Sequence, residues 1–127
     1  MSIDMSGAAL SESLLQITLL GEAVEHAPLG VFVFDERGEY VAVNRSGCEL
    51  LGHEREDILG ARIGAFAAQP EEARRSYRAV AEGASDGITR VRRGDGSVVE
   101  VEFRASETSI GGVTFYIGMA WPVGPAA

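Results

Sequence analysis

Side chains that could carry chemistry are sparse in this 127-residue chain, which has one cysteine, Cys48, and two histidines, His26 and His53. These three residues do not show the spacing of a metal site. The carboxylates between residues 49 and 72 fall in short polar segments typical of solvated helix turns, and no nucleophile stands beside a candidate base. We therefore expect no catalytic residue, no metal and no enzymatic activity, with a small α+β enzyme as a remote alternative.

Cys48 is interpreted as a small buried hydrophobe on the inner face of a short helix rather than as a redox or ligand-attaching thiol. A single thiol has no partner for an internal disulfide, which favours a reducing compartment. The N-terminus lacks the basic and apolar regions of a secretory signal, and no apolar run approaches the ~18 residues of a membrane span. We expect a cytoplasmic protein that does not contact a membrane.

The chain is acidic, with a net charge of −8. Such a charge repels phosphate backbones, so we expect no direct binding of nucleic acid. All eleven basic residues are arginine, and alanine and glycine are abundant, a composition typical of a GC-rich bacterial genome.

Hydrophobic periodicity predicts an N-terminal helix. Its apolar stripe includes Leu14, Ile17 and Val24 at spacings of three and seven, and Pro28 ends it. We predict one domain, with a disordered N-terminus over residues 1–7, an amphipathic helix over 8–27, a core over 28–121, and a tail or linker over 122–127.

Turn and capping residues divide the core into elements. Asn44 is expected to cap a short helix that Gly52 ends in the left-handed conformation, and Pro70 starts a longer helix that runs to residue 82. Alternation of apolar and polar residues and the intervening glycine turns predict strands over residues 30–35, 39–43, 88–93, 98–105 and 113–121.

Several of these segments, in this order and spacing, resemble the PAS domain family. They are residues 30–35, 40–44, 48–52, 58–60 and 93–97, and the pair Gly111-Gly112. The resemblance covers about residues 22–121. It implies an α+β fold with a five-stranded antiparallel sheet in the order 2-1-5-4-3, short helices on one face and an N-terminal helix. It also implies a sensory or interaction module of signal transduction, in which a ligand, where present, lies between sheet and helices.

The resemblance also raises haem and flavin as cofactors, and the residues disfavour both. The haem-binding members usually take an axial histidine from the longest helix, and the segment from Pro70 to Gly83 contains none. The light-sensing flavin members need an Asn-Cys-Arg-Phe-Leu-Gln type motif, whereas the corresponding segment here, residues 44–48, reads Asn-Arg-Ser-Gly-Cys. We therefore predict no haem, no covalent flavin and no other named cofactor.

Two readings of the space between sheet and helices stay open: a filled core, and a cavity for a small, largely apolar ligand. The small residues from Gly60 to Ala68 leave space unfilled, and the Tyr77 hydroxyl is available to a polar end, which favours a ligand. The candidate pocket residues are Val33, Cys48, Leu51, Leu59, Ile63, Phe66, Tyr77, Val80, Val101, Phe103, Phe115, Ile117 and Met119.

The opposite face of the sheet is expected to be apolar too. If Val31 and Val33 face the helices, Phe32 and Phe34 turn outward beside Tyr116, and three aromatic rings make a patch of roughly 450 Å² that needs a cover. The leucine-rich helix is the expected cover, and we predict a homodimer, the alternative being a monomer with the helix on its own sheet. The residues predicted for this interface are Leu14, Ile17, Leu20, Val24, Phe32, Phe34 and Tyr116.

The sequence thus predicts a PAS sensory domain that dimerises and binds a small apolar ligand. The alternative is a ligand-free interaction module whose core is filled. The output domain and the ligand are not predicted.

Overall fold

The structure, a computed structural model, describes residues 2–83 and 86–123, with side chains from residue 11 onward. Its elements follow the predicted order. They are α1 (Ser2–Glu25), β1 (Gly30–Phe34), β2 (Tyr40–Val43), α2 (Arg45–Leu51), α3 (Arg55–Ile58), α4 (Pro70–Ala81), β3 (Asp86–Arg92), β4 (Val98–Ile110) and β5 (Val113–Pro122).

The five strands form one antiparallel sheet in the order β2-β1-β5-β4-β3, as predicted. Helices α2 and α4 lie on one face of it, and the core between the layers includes Ile58, Val101 and Leu51, which are 0%, 2% and 3% exposed. This arrangement confirms the predicted α+β class, with one helix-covered face that can enclose a site.

Two of the predicted caps fix the ends of α2. Oδ1 of Asn44 accepts a hydrogen bond from the Gly47 amide at 2.9 Å, and Gly52 follows the helix with φ of 69°. The turn between β3 and β4 closes over the same end, where Gly94 donates its amide hydrogen to the Leu51 carbonyl and the Arg93 guanidinium donates to the Glu49 carbonyl. Three of the four carbonyl groups that the helix leaves unpaired at its C-terminus, those of Cys48, Glu49 and Leu51, therefore have partners.

The largest differences from the predicted boundaries lie in β4 and α1. Strand β4 runs to Ile110 rather than to residue 105, because Gly111 and Gly112, with φ of 59° and 80°, form a two-residue turn that keeps β4 and β5 paired up to the turn. Helix α1 starts at Ser2, before the predicted residue 8. Met1 and residues 124–127 of the predicted tail lie outside the described residues.

The predicted facing of β1 and β5 is wrong. Phe32 and Phe34 point toward the helices, whereas Val33 pairs with Ile117 on the outer face. The physical reason is volume: the Phe32 ring lies opposite Gly118 and against Gly47, two positions without side chains, so the helix side of these strands can hold aromatic rings. A shift of one residue along a strand reverses every side chain on it.

Candidate functional site

A cavity of about 120 Å³ lies between the inner face of the sheet and the helices. Its wall is predominantly aromatic and aliphatic. The lining includes Phe32, Phe34, Tyr40, Leu50, Leu51, Ile63, Phe66, Ala73, Ser76, Tyr77, Val80, Thr89, Arg90, Val91, Val101, Phe103, Ala105, Tyr116, Gly118, Met119 and Ala120.

Neighbouring strands and the segment before α4 bring the aromatic rings of this wall together. Tyr40 of β2 lies 4.4 Å from Phe34 and 5.8 Å from Phe32 between ring centroids, and the ring of Phe66 is also 5.8 Å from it. These spacings and the tilted ring planes are typical of favourable aromatic pairs. The wall is therefore held in place by ring-to-ring contacts across the sheet.

Tyr77 of α4 lines the cavity and also makes structural hydrogen bonds. Its hydroxyl donates toward the carbonyl groups of Asp35 and Glu36, at 3.2 and 3.1 Å, and so ties α4 to the turn between β1 and β2. Burial raises the pKa of Tyr77. We expected the Tyr77 hydroxyl to be available to a ligand. Two backbone carbonyl groups already accept its hydrogen bond.

Eight of the predicted pocket residues line the cavity: Leu51, Ile63, Phe66, Tyr77, Val80, Val101, Phe103 and Met119. Met119 contributes least, because its side chain is 46% exposed and belongs by alternation to the outer face.

The other five predicted pocket residues do not line it. Val33, Phe115 and Ile117 are excluded by the reversed facing of β1 and β5. Leu59 follows α3 and is 40% exposed, and Cys48 packs at the edge of the core behind the wall. Burial raises the pKa of the Cys48 thiol, which lowers its reactivity at neutral pH.

Sequence reasoning missed the most aromatic part of the wall: Phe32, Phe34, Tyr40 and Tyr116. Phe32, Phe34 and Tyr116 were predicted for the outer interface, because their strands were assigned the opposite facing. A usable signal was present in β5, where Gly118 and Ala120 alternate on one side and leave room for large rings on the neighbouring β1.

A junction beside the cavity fixes the end of α1. The Asn44 amide group donates to the carbonyls of Val24 and Leu29, while its oxygen accepts from Val31 and Gly47. Asn44 is buried and makes four hydrogen bonds, so a single side chain joins α1, β1 and α2.

An ion pair reinforces this junction. Nη2 of Arg55 lies 2.7 and 2.8 Å from the two carboxylate oxygens of Glu25, and Nε of Arg55 donates to the Val43 carbonyl. The hydrogen bond from Arg55 holds the pKa of Glu25 below its ordinary value. The C-terminal end of α1 is therefore anchored to β2 and α3.

The rest of α1 is free of the sheet. The side chains of Leu14, Ile17 and Leu20 are 64%, 65% and 62% exposed, and Val24 is also exposed. In the described part of the chain, α1 therefore does not cover the outer face of the sheet, and the predicted contact of this helix with Phe32, Phe34 and Tyr116 is wrong because those rings face the cavity.

The cavity does not fit the cofactors that the resemblance raises. Among the described residues, no histidine, cysteine, asparagine or glutamine lines it, so it lacks the axial histidine that the haem-binding members usually use and the cysteine, asparagine and glutamine that attach and bind the flavin. The His53 ring instead lies against Phe66, with ring centroids 4.8 Å apart and planes tilted by 45°, and His26 lies beside Glu22 at the end of α1.

The described residues provide neither a metal-ligand cluster nor a membrane-spanning helix. They contain no group of three or more histidine, cysteine or acidic residues placed to hold a metal ion. Over the same residues, none of the helices has the length and apolar character that crossing a bilayer requires.

The sequence profile of a protein family described as PAS fold matches residues 24–126. No curated protein matches the chain.

Solved structures share the fold. The PAS domain of an HTR-like protein from Haloarcula marismortui is 22% identical with a TM-score of 0.74, over 91% of this chain and 99% of that one. The PAS domain of a two-component sensor histidine kinase is 16% identical with a TM-score of 0.76, over 87% and 98%. An RNA-binding light-oxygen-voltage receptor is 27% identical with a TM-score of 0.76, over 87% of this chain and 34% of the receptor.

Proposed function

The chain belongs to the PAS fold family, and on this premise we propose that it is a sensory domain of signal transduction that binds a small, largely apolar ligand in the aromatic cavity. The observation that carries the proposal is the cavity itself, about 120 Å³ walled by aromatic and aliphatic side chains. Apolar cavities of ~150 Å³ bind a molecule the size of benzene. A ligand of about one ring therefore matches the available space.

The connection of the cavity to α1 supports a sensory role. Phe32 lines the cavity, and its neighbour Val31 donates its amide hydrogen to Asn44, which in turn holds the last turn of α1. A ligand that shifts β1 by even a small amount would act on this junction. The exposed helix α1 is then the element that carries the signal to a partner or to an output domain.

Titration with benzene, followed by amide chemical shifts, tests ligand binding. We expect saturable shifts of the residues that line the cavity. Ala73→Leu, which adds a side chain on the cavity side of α4, should abolish them, whereas Ala79→Leu, at an exposed position of the same helix, should not. Native mass spectrometry of the purified protein tests for a retained compound.

If benzene produces no saturable shifts, the result favours the alternative function, a ligand-free interaction module. A set of shifts that Ala73→Leu leaves unchanged would place binding outside the cavity.

We also propose that the chain forms a homodimer through α1. The supporting observation is that Leu14, Ile17 and Leu20 are more than half exposed on a helix whose anchoring contacts, among the described side chains, lie at its C-terminal end. Met119 of β5 and Val41 of β2 are further exposed apolar side chains of the sheet. A second copy supplies a matching partner, since each chain brings the same exposed apolar side chains.

Light scattering at micromolar concentration measures this assembly. Leu14→Glu or Ile17→Glu should give a monomer, because each places a charge in the apolar contact. Gln16→Glu adds the same charge at another exposed position of α1 and should leave the dimer intact. A monomeric mass for the unmodified chain would contradict the proposal.

A further inference from the structure

Among the described residues, the Tyr40 hydroxyl has no hydrogen-bond partner, and the wall around it is mainly aromatic and aliphatic. Tyr40 is 8% exposed and lines the cavity, yet its hydroxyl makes no hydrogen bond to any residue that the structure describes. The described residues contain one side-chain polar atom that is both sealed from solvent and unpaired, Nε of Arg93, so the Tyr40 oxygen keeps contact with open space. The hydroxyl can therefore bind water in the free protein, and a ligand that enters the cavity can take the place of that water.

The state of this hydroxyl is fixed by its surroundings. Burial raises the pKa of Tyr40 well above its ordinary value, and the aromatic rings of Phe32, Phe34 and Phe66 surround it. The group is therefore a neutral phenol at every physiological pH and has one hydrogen to donate.

The other polar groups of the wall do not supply a charge to a ligand. Tyr77 is held by two backbone carbonyls, and Ser76 and Thr89 contribute hydroxyl groups. Tyr116 contributes a further hydroxyl but is less deeply buried than Tyr40. Arg90, the one charged side chain among the described residues of the lining, is about half exposed and has its guanidinium 4.0 Å from the Glu72 carboxylate. An anion in the cavity would lose its hydration without gaining a buried counter-charge, which is costly.

Resting on the proposed ligand-binding function, we infer that the cavity selects a neutral, single-ring ligand with one hydrogen-bond acceptor, such as a carbonyl oxygen, that accepts from the Tyr40 hydroxyl. The ring fills the space between Phe34, Phe66 and Phe103, and the acceptor pairs with the Tyr40 hydroxyl, which has no partner among the described residues. Carboxylates of the same shape are rejected by the lack of a counter-charge.

Three probes of similar shape separate the effect of the ligand's charge from that of its hydrogen-bond acceptor. Acetophenone is neutral and has a carbonyl group, benzoate is anionic, and isopropylbenzene has no acceptor. Binding to the full chain is measured by amide chemical shifts at neutral pH. We expect acetophenone to bind at least about tenfold more tightly than benzoate.

Two variants locate the hydrogen bond. Tyr40→Phe removes only the unpaired hydroxyl, so it should keep the urea midpoint of the wild type or raise it, while weakening acetophenone by about three- to tenfold. Tyr116→Phe removes another hydroxyl from the same wall and should change acetophenone binding by less than about twofold. Isopropylbenzene should bind wild type and Tyr40→Phe equally.

The outcomes separate this inference from the function on which it rests. If isopropylbenzene binds in the cavity but Tyr40→Phe leaves acetophenone unaffected, or if benzoate binds as tightly as acetophenone, the inference is overturned while ligand binding stands. If none of the three probes binds the wild type, the proposed ligand-binding function fails and the inference fails with it.

Discussion

Replacing Asn44 with alanine removes the four hydrogen bonds that join α1, β1 and α2. They run from the side-chain amide to Val24 and Leu29 at 2.6 and 3.0 Å, and to the side-chain oxygen from Val31 and Gly47 at 2.8 and 2.9 Å. All four involve backbone groups at a buried position. Alanine leaves those donors and acceptors without this partner.

The magnitude follows from the count of bonds. A hydrogen bond contributes about 1 kcal/mol net to folding, so four correspond to a loss of about 4 kcal/mol in the free energy of unfolding. This sum of about 4 kcal/mol already includes the loss of the helix cap, because the bond from the Gly47 amide to Asn44 is the N-cap of α2. Since domains of this size are stable by about 5–15 kcal/mol, the variant should fold but with a large deficit.

Urea unfolding followed by the fluorescence of Trp121 measures the effect. With a urea dependence of about 1.5 kcal/mol per molar, the midpoint should fall by about 2 to 3 M. Ser46→Ala is the matched comparison, because it removes one hydrogen bond, from α2 to the Ala27 carbonyl in the segment between α1 and β1. It should cost about 1 kcal/mol.

Equal losses for the two variants would refute the reasoning, because they would mean that Asn44 contributes no more than a single bond. The comparison requires the same urea dependence in both variants, since a change in that slope would show that the unfolded or native state had changed in compactness.

Three further predictions concern the same half of the molecule. Gly94→Ala should destabilise the fold by more than about 2 kcal/mol, because its β-carbon would lie 2.1 Å from the Gly52 carbonyl oxygen, and urea unfolding measures this loss. Cys48 should react with a thiol reagent more slowly in the folded protein than in urea at neutral pH, because burial raises its pKa and depletes the thiolate. The ion pair of Glu25 and Arg55 should make stability depend on pH: its contribution is complete above the ordinary carboxyl pKa near 4.5 and is lost as the pH falls through the lower native value. Glu25→Gln should therefore flatten the decline of the thermal midpoint between neutral and acidic pH.

Each of these has its own control. Gly21→Ala meets no atom within 4 Å and lies inside α1, so it should not destabilise the protein, and a loss equal to that of Gly94→Ala would contradict the steric explanation. Equal thiol reaction rates in the presence and absence of urea would contradict the burial of Cys48. Glu22→Gln changes a neighbouring carboxylate of α1, and a pH profile that it flattens as much as Glu25→Gln would contradict the assignment to Glu25.

Local backbone chemistry was readable from the sequence. Asn44, Gly52 and Pro70 mark helix ends through bonds and backbone angles that involve only nearby residues, and all three act as predicted. The strand order was implied by the family resemblance and is confirmed. The alternation of Val99, Val101 and Phe103 along β4 also gave the correct face, since charged residues separate them.

The contents of the cavity were only partly readable. In β1 every residue from Val31 to Phe34 is apolar, so alternation alone does not decide which pair faces the helices. The lengths of β4 and β5 at their hairpin could not be predicted either, because the pairing of β4 beyond residue 105 depends on its partner strand.

The sequence by itself determined the family, the order of elements and the caps, because these depend on residues close together in the chain. Tertiary structure alone decided that Phe32 and Phe34 face inward, since that choice depends on Gly47 and Gly118, which come from distant segments and leave room for the rings. It also decided that the carbonyl groups of Asp35 and Glu36 hold the Tyr77 hydroxyl, whereas the Tyr40 hydroxyl has no partner among the described residues. Whether a hydroxyl is held depends on which backbone carbonyls folding brings within reach, and no local pattern encodes that distance.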